Sequence, residues 1–310
     1  MNVLRGILDL LEGIYVHIMI LVDTLIAAVL FLIPKKSKDV AGEIVLVTGS
    51  GSGIGRLMAL EFAKRGATLV LLDINESSIK DVAKEIEEIG ADAYYYKVDL
   101  SKREDVYNVA DKVKEAVGDV DILVNNAGVV TGKKFMDSPD KMIQLTMDVN
   151  TTAHFWTIKS FLPSMIERNH GHIVTIASSA GLFGTKGLID YCASKFAAVG
   201  LDESLRFELM FMGLRGVHTT VVCPFFINTG MFDGVKTRFP SIMPIVEPEV
   251  AVNKIMRGIL TNEKNVYIPA VIRLLVKLRD LLPDTAKSRM FRFYGTDACM
   301  DHFTGRTKKD

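Results

Sequence analysis

The chain lacks the features by which several protein classes are recognised from sequence. Its 37 Lys and Arg residues equal its 37 Asp and Glu residues, so it has no net positive charge with which to hold nucleic acid. Its three cysteines stand far apart and outside any Cys-x-x-Cys or His cluster, which argues against a disulfide framework and a zinc site. We therefore expect a globular chain facing the reducing cytosol, with no nucleic-acid partner and no metal.

Charged side chains are also scarce near the N-terminus. Between Ile14 and Ile33 the only clearly polar side chains are His17, Asp23 and Thr24, and about 20 apolar residues are enough to span a bilayer. Residues 34–38 follow with three lysines, which are expected to stay on the cytosolic side of a membrane. The segment predicts a retained anchor rather than a cleaved signal peptide.

The charges of this segment bear on how the anchor meets a membrane. In a helix, Arg5, Asp9, Glu12 and Asp23 fall on one narrow face. That pattern favours a helix lying in the membrane plane over a spanning one, because Asp23 would be costly at the centre of a bilayer. A helix buried in the soluble fold, or bound to a partner, is the alternative.

From Glu43 onwards, apolar runs alternate with segments of helical period. This alternation indicates an α/β fold, a Rossmann-type doubly wound parallel sheet in a single domain behind the anchor helix. The predicted strands are 44–48, 68–73, 93–98, 121–124, 172–177, 217–223 and 266–269. The predicted helices are 54–65, 77–89, 103–117, 141–168, 191–212 and 248–261.

The predicted domain organisation has three parts. Residues 1–38 form the anchor and a basic linker, and residues 39–270 form the dinucleotide-binding domain with a substrate lid at 225–246. Residues 271–310 form an amphipathic helix and a tail. The helical stretch 270–282 mixes leucines with Arg273, Lys277 and Arg279, so it either lies on a membrane or docks on the protein core.

A glycine-rich turn follows the first predicted strand and opens the first helix. Glycines at such a turn let backbone amides approach a pyrophosphate at the helix N-terminus. A tight structural turn is the alternative, but the strand before it and the helix after it favour cofactor binding. The predicted cofactor-binding residues of the turn are Thr48, Gly49, Ser52, Gly53, Ile54 and Gly55.

Asp73 ends the second predicted strand, about 20 residues after the glycine turn. A carboxylate there accepts hydrogen bonds from the adenine-ribose hydroxyls and repels a 2′-phosphate. No Arg or Lys follows in residues 74–76, and Ser52 is not basic, so NAD is favoured over NADP. Asp73 as an N-cap of the next helix is the alternative role.

Tyr191 and Lys195 lie one helical turn apart in a predicted helix. A phenol has an ordinary pKa near 10 and is a poor base at neutral pH, but a cation on the same helix face favours the phenolate. Tyr191 would then remove the proton of an alcohol as its C–H hydride leaves. Ser178, at the end of a strand, is expected to orient the substrate oxygen; Ser179 is its competitor, and a turn-capping role is its alternative.

These motifs, with Asn125-Asn126-Ala127-Gly128 and Asn150, resemble the short-chain dehydrogenase/reductase family over roughly residues 41–270. The resemblance implies that Ser178, Tyr191, Lys195 and Asn150 are catalytic, with Asn150 holding a relay water near the lysine. It also implies that Tyr191 and Lys195 contact the cofactor. The further cofactor contacts that it implies are Asp99, Leu100, Asn126, Ala127, Gly128, Pro224 and Thr229.

Phe225 is a departure, because the family usually has glycine after the proline at position 224. With Phe226, Met231 and Phe232 it is expected to make an apolar floor for the substrate, alongside Ser178. Few charged groups converge in residues 225–246, so the predicted substrate is a lipophilic alcohol or carbonyl compound. An ordinary packing loop is the alternative interpretation of this segment.

The sequence segments around Tyr191 and Pro224 resemble those of the membrane-associated branch of the family, which contains retinol and 17-beta-hydroxysteroid dehydrogenases. That resemblance implies NAD-dependent oxidation of all-trans-retinol, at the endoplasmic reticulum or a lipid droplet, with the catalytic domain facing the cytosol. A 17-beta-hydroxysteroid is the alternative substrate, and a scaffold without turnover is the alternative from another class. The family also implies a homo-oligomer.

Overall fold

A computed structural model describes residues 2–31, 33 and 35–305. Residues 1 and 32 of the predicted anchor, residue 34 of the linker and residues 306–310 of the predicted tail lie outside the described residues. The chain divides between Lys38 and Asp39 into two compact units. The first contains helix α1, Asn2–Phe31, whose described side chains are almost all exposed.

The second unit is built on one sheet of seven parallel strands in the order β3-β2-β1-β4-β5-β6-β7. The order reverses between β1 and β4, which creates a crevice at the carboxyl ends of the strands. The strands are β1 Ile44–Thr48, β2 Thr68–Asp73, β3 Ala93–Lys97, β4 Ile122–Asn125, β5 Gly171–Ile176, β6 Val217–Pro224 and β7 Asn265–Ile268.

Helices cover both faces of the sheet, because successive side chains of its buried strands point to opposite sides. Val45 and Val47 pack with α2, α3 and α8, whereas Leu46 packs on the opposite side with α4, α6 and α7. The remaining helices are α2 Gly53–Ala63, α3 Glu76–Ile89, α4 Arg103–Ala116, α5 Asp140–Met147, α6 Ala153–Arg168, α7 Ile189–Phe211, α8 Pro248–Leu260, α9 Val271–Leu281 and α10 Asp284–Tyr294.

The predicted parallel α/β sheet is confirmed, and all seven strands agree with prediction to within one residue at each end. The single helix predicted over 141–168 is wrong, because a π-helical turn, Asp148–Thr152, separates α5 from α6. Helix α10 was not predicted. These two differences both concern segments beside the functional site.

The two segments predicted to meet a membrane have different structures. Within the described part of the chain, no helix combines the length and apolarity that crossing a bilayer requires. Helix α9 buries Ile272 and Leu275 and leaves Leu274 and Leu278 exposed. Its inner face is therefore docked on the protein, as one of the two interpretations expected.

Candidate active site

A cavity of about 430 Å³ opens at the carboxyl ends of the strands, at the point where the strand order reverses. It brings together all but two of the predicted site residues; the exceptions are Thr48 and Asn150. The predicted residues that line it are Gly49, Ser52, Gly53, Ile54, Gly55, Asp73, Asp99, Leu100, Asn126, Ala127, Gly128, Ser178, Tyr191, Lys195, Pro224, Phe225, Phe226, Thr229, Met231 and Phe232.

The glycine turn between β1 and α2 is shaped to hold a phosphate group. A Cβ on Gly55 would lie 2.2 Å from the carbonyl oxygen of Gly49, so only glycine allows α2 to start this close to the turn. Gly53 has φ +57, and a Cβ there would lie 3.6 Å from the Thr229 side chain. The Ser52 side chain makes no capping hydrogen bond, so the first amides of α2 remain for an anion. These residues fit a dinucleotide pyrophosphate.

Asp73 lies at the end of β2, where its carboxylate supports the turn. Its Oδ2 atom accepts a 3.0 Å hydrogen bond from the Gly51 amide, and its Oδ1 atom accepts one from the Asn75 amide at 3.0 Å. The N-cap of α3 is Asn75 rather than Asp73, so the N-cap interpretation of Asp73 is wrong. The carboxylate keeps further acceptor positions at the cavity wall, which suits contacts with ribose hydroxyls.

Thr48 lies behind the cavity wall instead of lining it. Its hydroxyl oxygen accepts hydrogen bonds from the amides of Asn126 at 2.9 Å and Ala127 at 3.1 Å. The Asn126 side chain donates in return to the carbonyl oxygens of Thr48 and Gly49, at 2.9 and 3.1 Å. Thr48 is therefore a positioning residue, since it joins the turn after β1 to the turn after β4.

Tyr191 and Lys195 both face the cavity from α7, at the end of β5. Lys195 donates a 2.8 Å hydrogen bond from Nζ to the carbonyl oxygen of Ile176, and the same Nζ lies 5.7 Å from the centroid of the Tyr191 ring. Burial lowers the pKa of Lys195 to about 8. Burial raises the pKa of Tyr191 well above its usual value, and the neighbouring Ser178 hydroxyl acts in the opposite direction.

Ser178 follows β5 and has two contacts that fix its hydroxyl. The hydroxyl oxygen accepts a 3.1 Å hydrogen bond from the Ala180 amide, and the hydroxyl donates to the carbonyl oxygen of Pro224 at 3.3 Å. Ser178 therefore caps the turn that follows β5, as the alternative interpretation expected. It also lines the cavity beside Tyr191, and so does Ser179, the other candidate for orienting the substrate oxygen.

Asn150 lies in the π-helical turn and is fully buried, and it is not among the residues that line the cavity. Its side chain accepts from the Val129 amide at 2.8 Å and donates to the Val129 carbonyl oxygen at 2.9 Å and to Ser194 at 3.0 Å. A Cβ on Gly128 would lie 3.3 Å from Asn150 Oδ1 and 3.7 Å from Lys195 Nζ. The Asn150 carboxamide and the Lys195 ammonium thus both lie close to Gly128.

The apolar end of the cavity holds the four predicted substrate residues and several that sequence reasoning missed. Phe226 packs against Phe225 and Phe232, with ring centroids 4.5 and 5.1 Å away, and the Tyr191 ring meets Phe232 edge-on at 5.6 Å. The missed residues lie between β5 and α7, in α9, in α10 and in the segment after α10. They include Phe183, Leu275, Met290, Phe291, Tyr294 and Cys299.

Comparison with known proteins agrees with this geometry. The family profile described as "short chain dehydrogenase" matches residues 43–238. The chain belongs to the short-chain dehydrogenase family. It is 50% identical to epidermal retinol dehydrogenase 2 of Homo sapiens over 288 residues, covering 92% of this chain and 93% of that one. It is 45% identical to retinol dehydrogenase 10-B of Danio rerio over 306 residues, covering 92% and 91%.

A solved structure shares the fold of this short-chain dehydrogenase. A short-chain dehydrogenase/reductase from Burkholderia phymatum, in complex with NAD, superimposes with a TM-score of 0.71 at 27% identity, covering 79% of this chain and 95% of that one. The predicted family is thereby confirmed, and the protein is an oxidoreductase with a nicotinamide dinucleotide cofactor. Among the residues that the structure describes, no cluster of three metal-ligating side chains is found.

Proposed function

We propose that this short-chain dehydrogenase oxidises a lipophilic alcohol with NAD, and that all-trans-retinol is its substrate. The observation that carries the proposal is the junction of Ser178 and Tyr191 with an apolar cavity wall of Phe225, Phe226 and Phe232. Relatives that align over more than 90% of both chains bear the name retinol dehydrogenase. An apolar wall favours an uncharged lipophilic substrate, because it offers no partner to a carboxylate or phosphate.

In the proposed reaction, the Ser178 hydroxyl turns from the carbonyl oxygen of Pro224 to donate its hydrogen bond to the substrate oxygen. Tyr191 accepts the proton of the alcohol hydroxyl. The nicotinamide group, when bound, supplies the acceptor for the C–H hydride. Lys195 contributes a cation that favours the phenolate of Tyr191. Asn150 keeps Val129 and the helix of Lys195 in register through its three hydrogen bonds.

NAD is the proposed cofactor over NADP because of Asp73. Its carboxylate lies at the cavity wall and repels a 2′-phosphate. The next residue, Ile74, also lines the cavity, is 63% exposed and carries no charge to offset that repulsion. A preference for NAD is consistent with an enzyme that works in the direction of alcohol oxidation.

We also propose that the protein works at a membrane, at the endoplasmic reticulum or a lipid droplet, with the second unit in the cytosol. Helix α1 supports this proposal, because it exposes large apolar side chains along its length, among them Leu8, Leu11, Ile18 and Leu25. Such a helix lies in the interface plane when its charges share one face. A homo-oligomer is proposed through α6 and α7, where Phe155 and Phe196 are exposed apolar side chains.

The test is NADH fluorescence from full-length enzyme reconstituted into vesicles, with NAD or NADP and with retinol, estradiol or hexadecanol. We expect NADH with retinol and NAD, and its loss in Tyr191→Phe. Turnover of estradiol without retinol would replace the retinoid by a steroid substrate. Protein that binds NAD yet oxidises none of the three alcohols would contradict the proposal and support a scaffold role.

A further inference from the structure

Helix α9 has two faces with different surroundings. Its inner face buries Ile272, and Leu275 beside it lines the substrate cavity. Its outer face carries Leu274, Leu278 and Leu281, which are 56%, 41% and 81% exposed. Their spacing of four and three residues puts these leucines in one stripe along the helix. The same short helix therefore touches the cavity on one side and offers an apolar stripe on the other.

Helix α10 repeats this arrangement. Its Met290, Phe291 and Tyr294 line the cavity, whereas Phe293 is 53% exposed and Arg289 is exposed. The helix is also attached to the lid segment, 225–246, because the Phe293 ring lies 4.9 Å from the Phe239 ring. The guanidinium of Arg238 lies 5.4 and 5.5 Å from the centroids of these two rings. The outer surfaces of both helices thus surround the apolar end of the cavity.

The charge of this region differs from that of the whole chain. Residues 271–294 contain six Lys and Arg residues and two Asp residues, a balance of plus four, whereas the chain as a whole is neutral. Arg279 pairs with Asp280, and Lys287 pairs with Asp284. Four further cations are exposed, two on α9, which carries the apolar stripe, and two on α10. They are Arg273, Lys277, Arg289 and Arg292.

We propose that this surface docks on a bilayer that contains anionic lipids, so that the cavity lies next to the lipid that holds the substrate. The α9–α10 face is defined here as the exposed side chains of Leu274, Lys277, Leu278, Leu281, Arg289 and Phe293. Apolar side chains flanked by cations match the interfacial region of an anionic bilayer, where acyl chains and head groups are both within reach.

The inference deepens the proposed function and rests on it in one respect. A cavity next to the bilayer helps catalysis only if the substrate is dissolved in the membrane. The charge decides between lipid and other occupants. A second copy of the chain would bring the same positive face against itself, whereas an anionic bilayer is complementary to it. The inner faces of α9 and α10 would then deliver the substrate directly from the membrane surface into the cavity.

The test uses the full-length protein with a polarity-sensitive fluorophore on Leu278→Cys. The three native cysteines are buried, so labelling at position 278 is selective. We expect a blue shift on adding vesicles of phosphatidylserine and phosphatidylcholine. The shift should fall at least fivefold in 0.5 M NaCl, because salt screens exposed charges. A probe at Leu281→Cys should behave alike, and a probe at Glu88→Cys on α3 should not shift.

The charge requirement is tested with Lys277→Glu/Arg289→Glu, compared with Lys84→Glu/Lys112→Glu, which changes the net charge equally at exposed sites elsewhere. We expect the first pair to lose the shift at position 278 by at least fivefold and the second to keep it. An unchanged shift in the first pair would overturn the proposal. A shift that needs no vesicles and grows with protein concentration would also overturn it, in favour of a second copy.

Failure of this inference is separable from failure of the proposed function. If retinol is oxidised in vesicles but no probe on the α9–α10 face shifts, the docking surface is wrong and the enzyme assignment stands. If both probes shift while no alcohol is oxidised, the surface stands and the enzyme assignment is wrong. Oxidation of hexanol in buffer without vesicles is the control for intact catalysis, because this substrate does not need a membrane. Its turnover should be equal in the two charge-reversed pairs.

Discussion

The Nζ atom of Lys195 faces the ring of Tyr191 at 5.7 Å from its centroid, although its hydrogen bond goes to the main chain of Ile176. Both side chains are buried, and burial is the main cause that raises the pKa of the tyrosine. A buried phenol needs a nearby cation to ionise near neutral pH. From this distance we expect the lysine to set the pH range in which the tyrosine acts as a base.

Replacing Lys195 by methionine removes this cation and keeps a side chain of similar length. We expect kcat for alcohol oxidation at pH 7.5 to fall about 100-fold or more, and the rising limb of the profile of kcat against pH to move to higher pH. Lys195→Arg keeps the charge and should keep the limb closer to that of the wild type. Identical profile midpoints in the two variants would show that the cation does not tune Tyr191.

The cofactor preference is expected to depend on Asp73 and Ile74. Asp73→Ser/Ile74→Arg removes the carboxylate and adds a guanidinium at an exposed position of the cavity wall. We expect the ratio of kcat/KM for NAD to that for NADP to fall on the order of 100-fold, because a repulsion is replaced by an attraction. Ile74→Arg alone keeps Asp73 and should change the ratio much less. Steady-state kinetics with each cofactor measures this ratio, and an unchanged ratio in the double variant would contradict the prediction.

Cys299 offers a way to shorten the apolar end of the cavity. It lines the cavity, is 7% exposed and packs against Phe226 and Val235. Cys299→Phe should raise KM for retinol at least tenfold and leave kcat/KM for butanol within about threefold, since only the long substrate reaches this wall. Overpacking destabilises by about 1–3 kcal/mol, so unfolding is measured in parallel.

Met300→Phe provides the matched control for this substitution. Met300 is the next residue and packs with the same side chains, but it does not line the cavity. It should therefore share any loss of stability and leave the discrimination between retinol and butanol unchanged. Equal effects of the two substitutions on retinol would mean that the wall near Cys299 does not contact the substrate.

The stability of the fold is expected to depend on His154 below neutral pH. Burial, with Lys195 nearby as a second cause, lowers the pKa of His154 to about 3, whereas an unfolded histidine titrates near 6.5. The unfolded chain therefore binds a proton that the folded chain does not, and stability is lost as the pH falls through 6.5. At pH 5.5 this loss is about 1.4 kcal/mol.

His154→Gln should remove this loss. Urea unfolding at pH 7.5, 6.5 and 5.5 is expected to show a free energy of unfolding that declines less with acid in the variant than in the wild type. Burial raises the pKa of Asp202 to about 6, which acts in the opposite sense in both proteins, so the comparison isolates the histidine. His302→Gln, at an exposed site, is the control, and a slope like that of His154→Gln would contradict the assignment.

The sheet was predictable because its strands are nearly continuous apolar runs with turn residues at both ends. The π-helical turn at 148–152 was not, since one shift in the phase of the hydrophobic period is too weak a signal to divide a single predicted helix into two. Helix α10 escaped because its apolar residues, such as Met290 and Phe291, face a cavity and alternate with cations instead of forming a core stripe. The aromatic residues of α10 were the sequence signal from which an element beside the cavity could have been predicted.

The chemical residues of the site were predictable because their motifs are local in sequence. The positions of Thr48 and Asn150 behind the cavity wall were not, because they depend on hydrogen bonds to residues far along the chain. Thr48 bonds to the amide of Asn126, and Asn150 bonds to the amide of Val129. The motifs assigned Thr48 to the cofactor and Asn150 to a relay water near the lysine, and these roles stay predictions; the hydrogen bonds of both residues show in addition which turns they join.

The end of the described chain is hydrogen-bonded to the segment 225–246. The Thr304 amide donates to the carbonyl oxygen of Asp233 at 2.9 Å, and the Lys236 amide donates to that of Cys299 at 3.2 Å. A protein is synthesised from its N-terminus, so the sheet and the glycine turn leave the ribosome well before this last piece. A product truncated after β7 by an early stop codon would keep all seven strands and the glycine turn. It would lack α9, α10 and Cys299, which line the apolar end of the cavity.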